Sequence, residues 1–324
     1  MKLFKYLFWV IVICFSALSL MAMLYRKGQS NFLKVEQPVK EMINGKENYD
    51  ILFLGSSRAS AHVNPYIIDS ITGVSSYNAG HPGFNIIEMN LMLQCYLEKH
   101  TPPKLIVAEL AINTFHTQIS PIYSPVEYFR FMDDENVSAT LTAHHKRARL
   151  WKYFSFMEIC EADEMQKVQA AFGLLGKKER LSGYKGYKEN EGLLPISFAT
   201  CEDPTDFKVT PEGLTILNHL IATCKKNNVD LVFTYSPEYY RLHHKTEEDF
   251  FKSINEVCAK NKIPFFNYRS HELSRQSHLF ADPVHLNSTG ATEFSKLLGN
   301  DVNRYIKQRE GKIDSPAYYT SRGY

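Results

Sequence analysis

The residues with the clearest chemical potential lie at the ends of apolar runs. Ser57 sits in the turn Gly55-Ser56-Ser57-Arg58, immediately after Asp50–Leu54. A serine hydroxyl is a weak nucleophile until a base takes its proton. A small-residue turn after a strand would expose that hydroxyl and leave its backbone N–H free, although the same residues also suit a serine that only caps a helix. Far downstream, Asp282-Pro283-Val284-His285 offers a carboxylate and an imidazole three residues apart. An acid in that relation can fix the tautomer of the histidine and stabilise the imidazolium it becomes; a turn aspartate beside a surface histidine is the plainer reading. Gly80 in Asn78-Ala79-Gly80 and Asn113 in Ala111-Ile112-Asn113 follow two further apolar runs. With the Ser57 N–H, the Gly80 N–H and the Asn113 amide could hold a developing oxyanion, a role in which one donor is worth about 10²- to 10³-fold in rate.

Other polar clusters carry less. Arg58 could bind an anionic substrate group or pair with a carboxylate inside the protein, and both readings stand. His144-His145 lies among Lys146, Arg147 and Arg149, and His243-His244 is flanked by Arg241 and Lys245. Neither pair has further ligands at metal-site spacing, so both read as solvated faces and no metal is expected. The six cysteines show no CxxC spacing and read as mostly free thiols. No glycine-rich phosphate loop is present, and no cofactor is expected.

The elements that must position these groups follow from periodicity. Asp50–Leu54, Ser75–Asn78, Lys104–Leu110, Asp230–Tyr235 and Phe265–Tyr268 are short and mostly apolar, as strands buried on both faces are. Helical spacing covers Phe84–Lys99, Thr210–Asn227, Glu247–Lys260 and Ser288–Gln308, the last with Ser288 as a cap. Strands alternating with helices predict an α/β fold: a mostly parallel sheet with helices on both faces. Ligands of such sheets sit at the carboxyl ends of the strands, where Ser57, Gly80 and Asn113 fall. Residues 114–207 break the alternation. They contain helical stretches near Val137–Phe156 and Glu161–Leu175 and read as a helical insertion, a candidate cap over a cleft.

The chain of 324 residues opens with Leu7–Leu24, an uncharged apolar run between Lys2/Lys5 and Arg26/Lys27. As a helix it would span about 27 Å, close to the hydrocarbon core of a bilayer at about 30 Å. An uncleaved anchor and a signal peptide are both open, with no clear small-x-small cleavage site in favour of the second. The expected organisation is a membrane anchor at 1–28, a polar linker at 29–48, an α/β domain at 49–308 interrupted by the insertion, and a loose tail at 309–324. The flanking positive charges nearly balance, so the simplest orientation, with the domain outside the cytoplasm, is an expectation only. A net charge of +2 gives no global signal for nucleic acid, and no such partner is expected.

The ordered set of motifs resembles the SGNH (GDSL-like) hydrolase superfamily. Gly55-Ser56-Ser57 looks like its first block, Asn78-Ala79-Gly80 its second, Ala111-Ile112-Asn113 its third and Asp282-Pro283-Val284-His285 its fifth. Ser56 and Thr114 stand where many members carry Asp. The resemblance spans Asp50 to Gln308 and implies a three-layer α/β/α sandwich of flavodoxin-like type. It implies Ser57, His285 and Asp282 as a catalytic triad, and Ser57, Gly80 and Asn113 as an oxyanion hole. With the N-terminal helix, it also resembles the membrane-tethered branch that acylates cell-surface polymers. That likeness implies an esterase or O-acyltransferase working on an acylated, cell-surface or lipid-linked glycan. The alternative is a non-catalytic scaffold that docks a membrane acyltransferase.

Overall fold

A computed structural model describes residues 2–32, 38–115, 122–178, 183–195, 201–203 and 208–312. They fall into two compact units. One joins the N-terminal residues 1–36 to 124–182; the other joins 37–123 to 183–324.

The larger unit is built on five parallel strands: β1 (Ile51–Leu54), β2 (Ser76–Asn78), β3 (Leu105–Glu109), β7 (Asp230–Tyr235) and β9 (Phe265–Asn267), in the order β2-β1-β3-β7-β9. Every residue of β1, β2 and β3 is buried, which explains why β1 and β3 are nearly unbroken in apolar residues. One face, with Ile51, Phe53, Leu105, Val107 and Val232, packs with Ile68 of α4 (Pro65–Thr72) and Phe294, Leu298 and Val302 of α12 (Ser288–Arg309). The other face is covered by α2 (Pro38–Asn44), α5 (Ile86–Lys99) and α10 (Pro211–Lys226). The result is the three-layer α/β/α sandwich that the alternation predicts. The chain leaves β1 towards β2 on one side and returns to β3 on the other, so the topological switch lies at the carboxyl ends of β1 and β3.

Several boundaries differ from expectation. In the segment read as a linker, 29–48, the described residues 29–32 and 38–44 are helical. The N-terminal helix α1 runs over Lys2–Phe32, and α2 buries Val39, Met42 and Ile43. Lys99 Nζ donates to the Ile43 carbonyl at 2.8 Å, and Tyr49 Oη donates to Glu41 at 2.8 Å, which ties this stretch to the sandwich. Three apolar residues in seven were too few to signal a helix that packing, not propensity, stabilises. The insertion is also shorter than 114–207. The hairpin β4–β5 (Gly183–Tyr184, Tyr187–Lys188) and β6 (Cys201–Asp203), which pairs with β8 (Leu242–His244), belong to the sandwich unit. The cap of α12 is Asn287, whose side chain accepts from the Gly290 N–H at 3.0 Å, and not Ser288. The expected tail falls mostly outside the described residues.

In the smaller unit, α1 packs along α9 (Glu164–Leu174), beside α8 (Met157–Glu161). The segments read as two helices are four: α6 (Glu135–His144), α7 (Ala148–Trp151), α8 and α9. The ends of α6 and α9 carry Asp134 and Asp163 as caps, and the second forms a capping box with Gln166. Trp151, the last residue of α7, is buried, stacked on Phe129 and against His145. His145 is thus a packed residue, with Glu161 3.9 Å away, and not part of a fully solvated face.

Candidate active site

β1 ends at Leu54, and the chain turns through Gly55 into α3 (Ser57–His62). A Cβ at Gly55 would lie 2.7 Å from the Ala59 Cβ and 2.9 Å from the Glu109 Cβ, so only glycine lets α3 start this close to β3. Gly80 is constrained likewise: a Cβ there would lie 2.6 Å from the Ala59 Cβ and 2.7 Å from the Ser60 N. Both glycines seat the short helix that carries Ser57 at its first position.

Ser57, His285 and Asp282 form one hydrogen-bonded chain. Ser57 Oγ lies 2.8 Å from His285 Nε2, and His285 Nδ1 lies 2.9 Å from Asp282 Oδ2. Asp282 Oδ1 accepts the backbone N–H groups of Val284 and His285, each at 2.9 Å. Burial opposes the charge on Asp282, but the His285 hydrogen bond, its charge and those two N–H groups outweigh it and hold the carboxyl below its ordinary value. An ionised Asp282 draws the proton to Nδ1 and leaves Nε2 as an acceptor for the Ser57 hydroxyl. The His285 side chain is 26% exposed, so the chain of groups opens to solvent.

The three expected oxyanion donors differ in state. The Ser57 N–H is the first amide of α3 and has no intrahelical acceptor. Asn113 follows β3 in a 3-10 turn (Ile112–Phe115), with an exposed side chain that has no partner among the described residues. The Gly80 N–H, by contrast, donates to Asn78 Oδ1 at 2.9 Å. The buried Asn78 gives both amide hydrogens to the Ala59 and Val63 carbonyls, each at 2.7 Å, satisfying the end of α3, and its oxygen turns back on Gly80. Thr114, at the position where Asp is common, accepts the Ala111 N–H through Oγ1 at 2.9 Å and so shapes the Asn113 turn.

Arg58 does not face a substrate. Its side chain is 2% exposed. It donates to Glu238 Oε1 at 2.6 Å, to Ser236 Oγ at 3.1 Å and to the Ser236 carbonyl; Glu109 Oε1 is 3.2 Å away and the Tyr235 ring 4.1 Å. His244 also departs from the solvated reading: its Nε2 is 3.0 Å from Glu238 Oε2, which accepts the Tyr235 hydroxyl as well. Burial disfavours the Glu238 charge, but Arg58, His244 and Arg269 overcome it and bring its pKa down to about 2. Burial opposes the His244 charge too, yet Glu238 and Asp203 raise its pKa.

His62, unnoticed in the sequence, joins this network to the site. Its Nε2 accepts the Leu286 N–H at 2.9 Å, so its Nδ1 carries the proton, 3.0 Å from Ser236 Oγ. Complete burial, the Arg58 charge and His285 together push its pKa well down. His62 therefore stays neutral, at a centroid distance of 6.2 Å from His285. One end of α3 presents Ser57 and the other grips the residue after His285. Glu109 was the available signal for the network: a carboxylate ending a fully buried strand demands a partner.

No protein-family profile matches the chain, and no curated protein sequence does. Among the solved structures it resembles, all at low identity, several are described as G-D-S-L or SGNH proteins and others as esterases. They include a provisionally assigned lipolytic protein of the G-D-S-L family from Desulfitobacterium hafniense (8% identity, TM-score 0.42, covering 79% of this chain and 99% of that one). A provisionally assigned acylhydrolase from Bacteroides fragilis has 12% identity and a TM-score of 0.43, covering 84% and 97%. A family two carbohydrate esterase from Clostridium thermocellum, solved with cellohexaose, has 11% identity and a TM-score of 0.39, covering 83% and 67%.

Proposed function

We propose that the chain is a serine hydrolase acting on carboxylic esters, with Ser57 as nucleophile, His285 as general base and acid, and Asp282 orienting His285. The observation that carries this reading is the continuous link from Ser57 Oγ through His285 to Asp282, at 2.8 and 2.9 Å. Ser57 Oγ attacks the ester carbonyl carbon while its proton passes to His285 Nε2. The carbonyl oxygen becomes an oxyanion that the Ser57 N–H and the Asn113 amide would receive; the Gly80 N–H joins them only by leaving Asn78 Oδ1. The C–O bond to the leaving alcohol breaks as His285 returns the proton to it. The acyl group on Ser57 then passes to water in an esterase, or to a sugar hydroxyl in an acyltransferase.

The apolar α1 supports a position at a membrane, with the sandwich outside the cytoplasm and an acylated, surface or lipid-linked glycan as substrate. The engagement of Gly80 by Asn78 favours a second reading, in which the same fold serves a membrane acyltransferase as a non-catalytic partner. Hydrolysis of p-nitrophenyl acetate and of acetylated oligosaccharides by the full chain in detergent separates the two. The catalytic reading predicts turnover that Ser57→Ala removes. Turnover that survives this substitution, or none from folded protein on any ester, supports the scaffold.

A further inference from the structure

The apolar surface of the insertion continues that of the N-terminal helix. Within the smaller unit, the last third of α1 is interlocked with α9. Ala22, Tyr25, Gly28 and Gln29 are buried. A Cβ on Gly28 would collide with the Ala170 carbonyl, and one on Gly173 with the Gly28 carbonyl, the close backbone approach that small residues permit in helix pairs. Arg26 pairs with the buried Glu158. Losing α1 would strip this unit of its centre, so the helix is a structural part of it.

Further towards the N-terminus α1 is exposed and apolar, yet the insertion still touches it. The Phe15 ring lies 6.3 Å from that of Phe154 and 6.4 Å from that of Phe156. From Phe15 to Arg26 is eleven residues, about 16 Å of helix at 1.5 Å per residue. Around these contacts Tyr153 is 71% exposed and Phe154 37%, and Leu150, Arg149 and Lys152 are exposed too, with the Lys152 ammonium 3.5 Å from Asp133 Oδ1. An apolar turn whose rings meet Phe15, in the middle of the apolar run Leu7–Leu24, has the chemistry of a surface that faces acyl chains.

We infer that the α7–α8 segment, with Leu150, Tyr153, Phe154 and Phe156, dips into the same lipid leaflet that receives α1, so that this part of the insertion is a membrane-seated collar. The inference rests on the reading of α1 as a membrane helix: if Phe15 lies among acyl chains, the rings that touch it lie there as well.

The test uses the full chain, with native cysteines replaced, in vesicles of phosphatidylcholine and phosphatidylglycerol. A single environment-sensitive fluorophore is placed on Phe154→Cys, on Leu18→Cys in α1, or on Glu256→Cys in the sandwich. Spin-labelled lipids are expected to quench positions 18 and 154 at least two-fold more than position 256, with blue-shifted emission at both. Quenching at 18 with water-like, unquenched emission at 154 overturns the collar and leaves the anchor standing. Water-like emission at both overturns the anchor reading, and the collar with it. Circular dichroism matching the parent chain ensures that the labelled variants are folded.

Discussion

The Asp282 carboxylate meets His285 twice, through the ring Nδ1 and through the backbone N–H of the same residue. The second contact survives in Asp282→Asn, so the loop should keep its shape while the imidazole loses the acceptor that fixes its tautomer. We expect Asp282→Asn to lower the rate of acylation of Ser57 by about 10²- to 10⁴-fold with little change in thermal midpoint. Stopped-flow labelling beside a melting curve measures both. His62 acts one step further out, as a positioning residue. His62→Ala leaves the Leu286 N–H buried and unpaired, so stability should fall by about 1–3 kcal/mol. The same change frees the residue after His285, and kcat should drop while KM holds, because no substrate contact is lost. A KM that rises with unchanged kcat would place His62 at the substrate instead. At this scale Ser57, Asp282 and His285 were legible only as an ordered set, because each motif alone also reads as a helix cap or a turn. It was silent on His62, because a histidine five residues after Ser57 acquires meaning only when α12 and the 282–286 loop fold over α3.

Strand and helix positions were more legible than their partners. β1, β3 and β7 lie within a residue of where their apolar runs end, because strands buried on both faces have little choice of residue. His244 was misjudged, and Arg58 left between two readings, for a related reason. A charged side chain is normally external, and only the convergence of the ends of β3, β7 and β8 reveals that Arg58, Glu109, Glu238 and His244 are one buried cluster. The Glu238 carboxylate, drawn down to about 2 from an ordinary 4.5, links folding to pH with a definite sign. Its contribution is present above about pH 4.5 and is lost as pH falls through about 2, and two and a half pK units correspond to about 3 kcal/mol. Urea midpoints of the chain and of Glu238→Gln should differ most near pH 7 and converge as pH approaches about 2.5. A gap that is constant across this range would contradict an ionised Glu238 in the fold. On the sandwich core, Phe294→Ala removes a fully buried ring that packs with His62 and Tyr268, for a loss of about 3–5 kcal/mol by equilibrium unfolding.

At the scale of the whole molecule, the chain is two units that interleave in sequence: α1 folds with residues 124–182, and the sandwich closes from both sides of that insertion. Hydropathy made α1 visible but could not reveal that Tyr25, Gly28 and Gln29 fold with a segment more than a hundred residues away. Gly28→Leu should therefore disrupt the smaller unit and leave the sandwich folded, read as selective trypsin cleavage within 124–178. The account as a whole stands on Ser57 being an activated nucleophile, and the most direct measurement is covalent labelling of the full chain in detergent by a fluorophosphonate probe, with the adduct located by peptide mass mapping. The geometry predicts one adduct, on Ser57, absent in Ser57→Ala and in His285→Ala. A folded chain that takes up no probe, or takes it up on another serine, would contradict the catalytic reading.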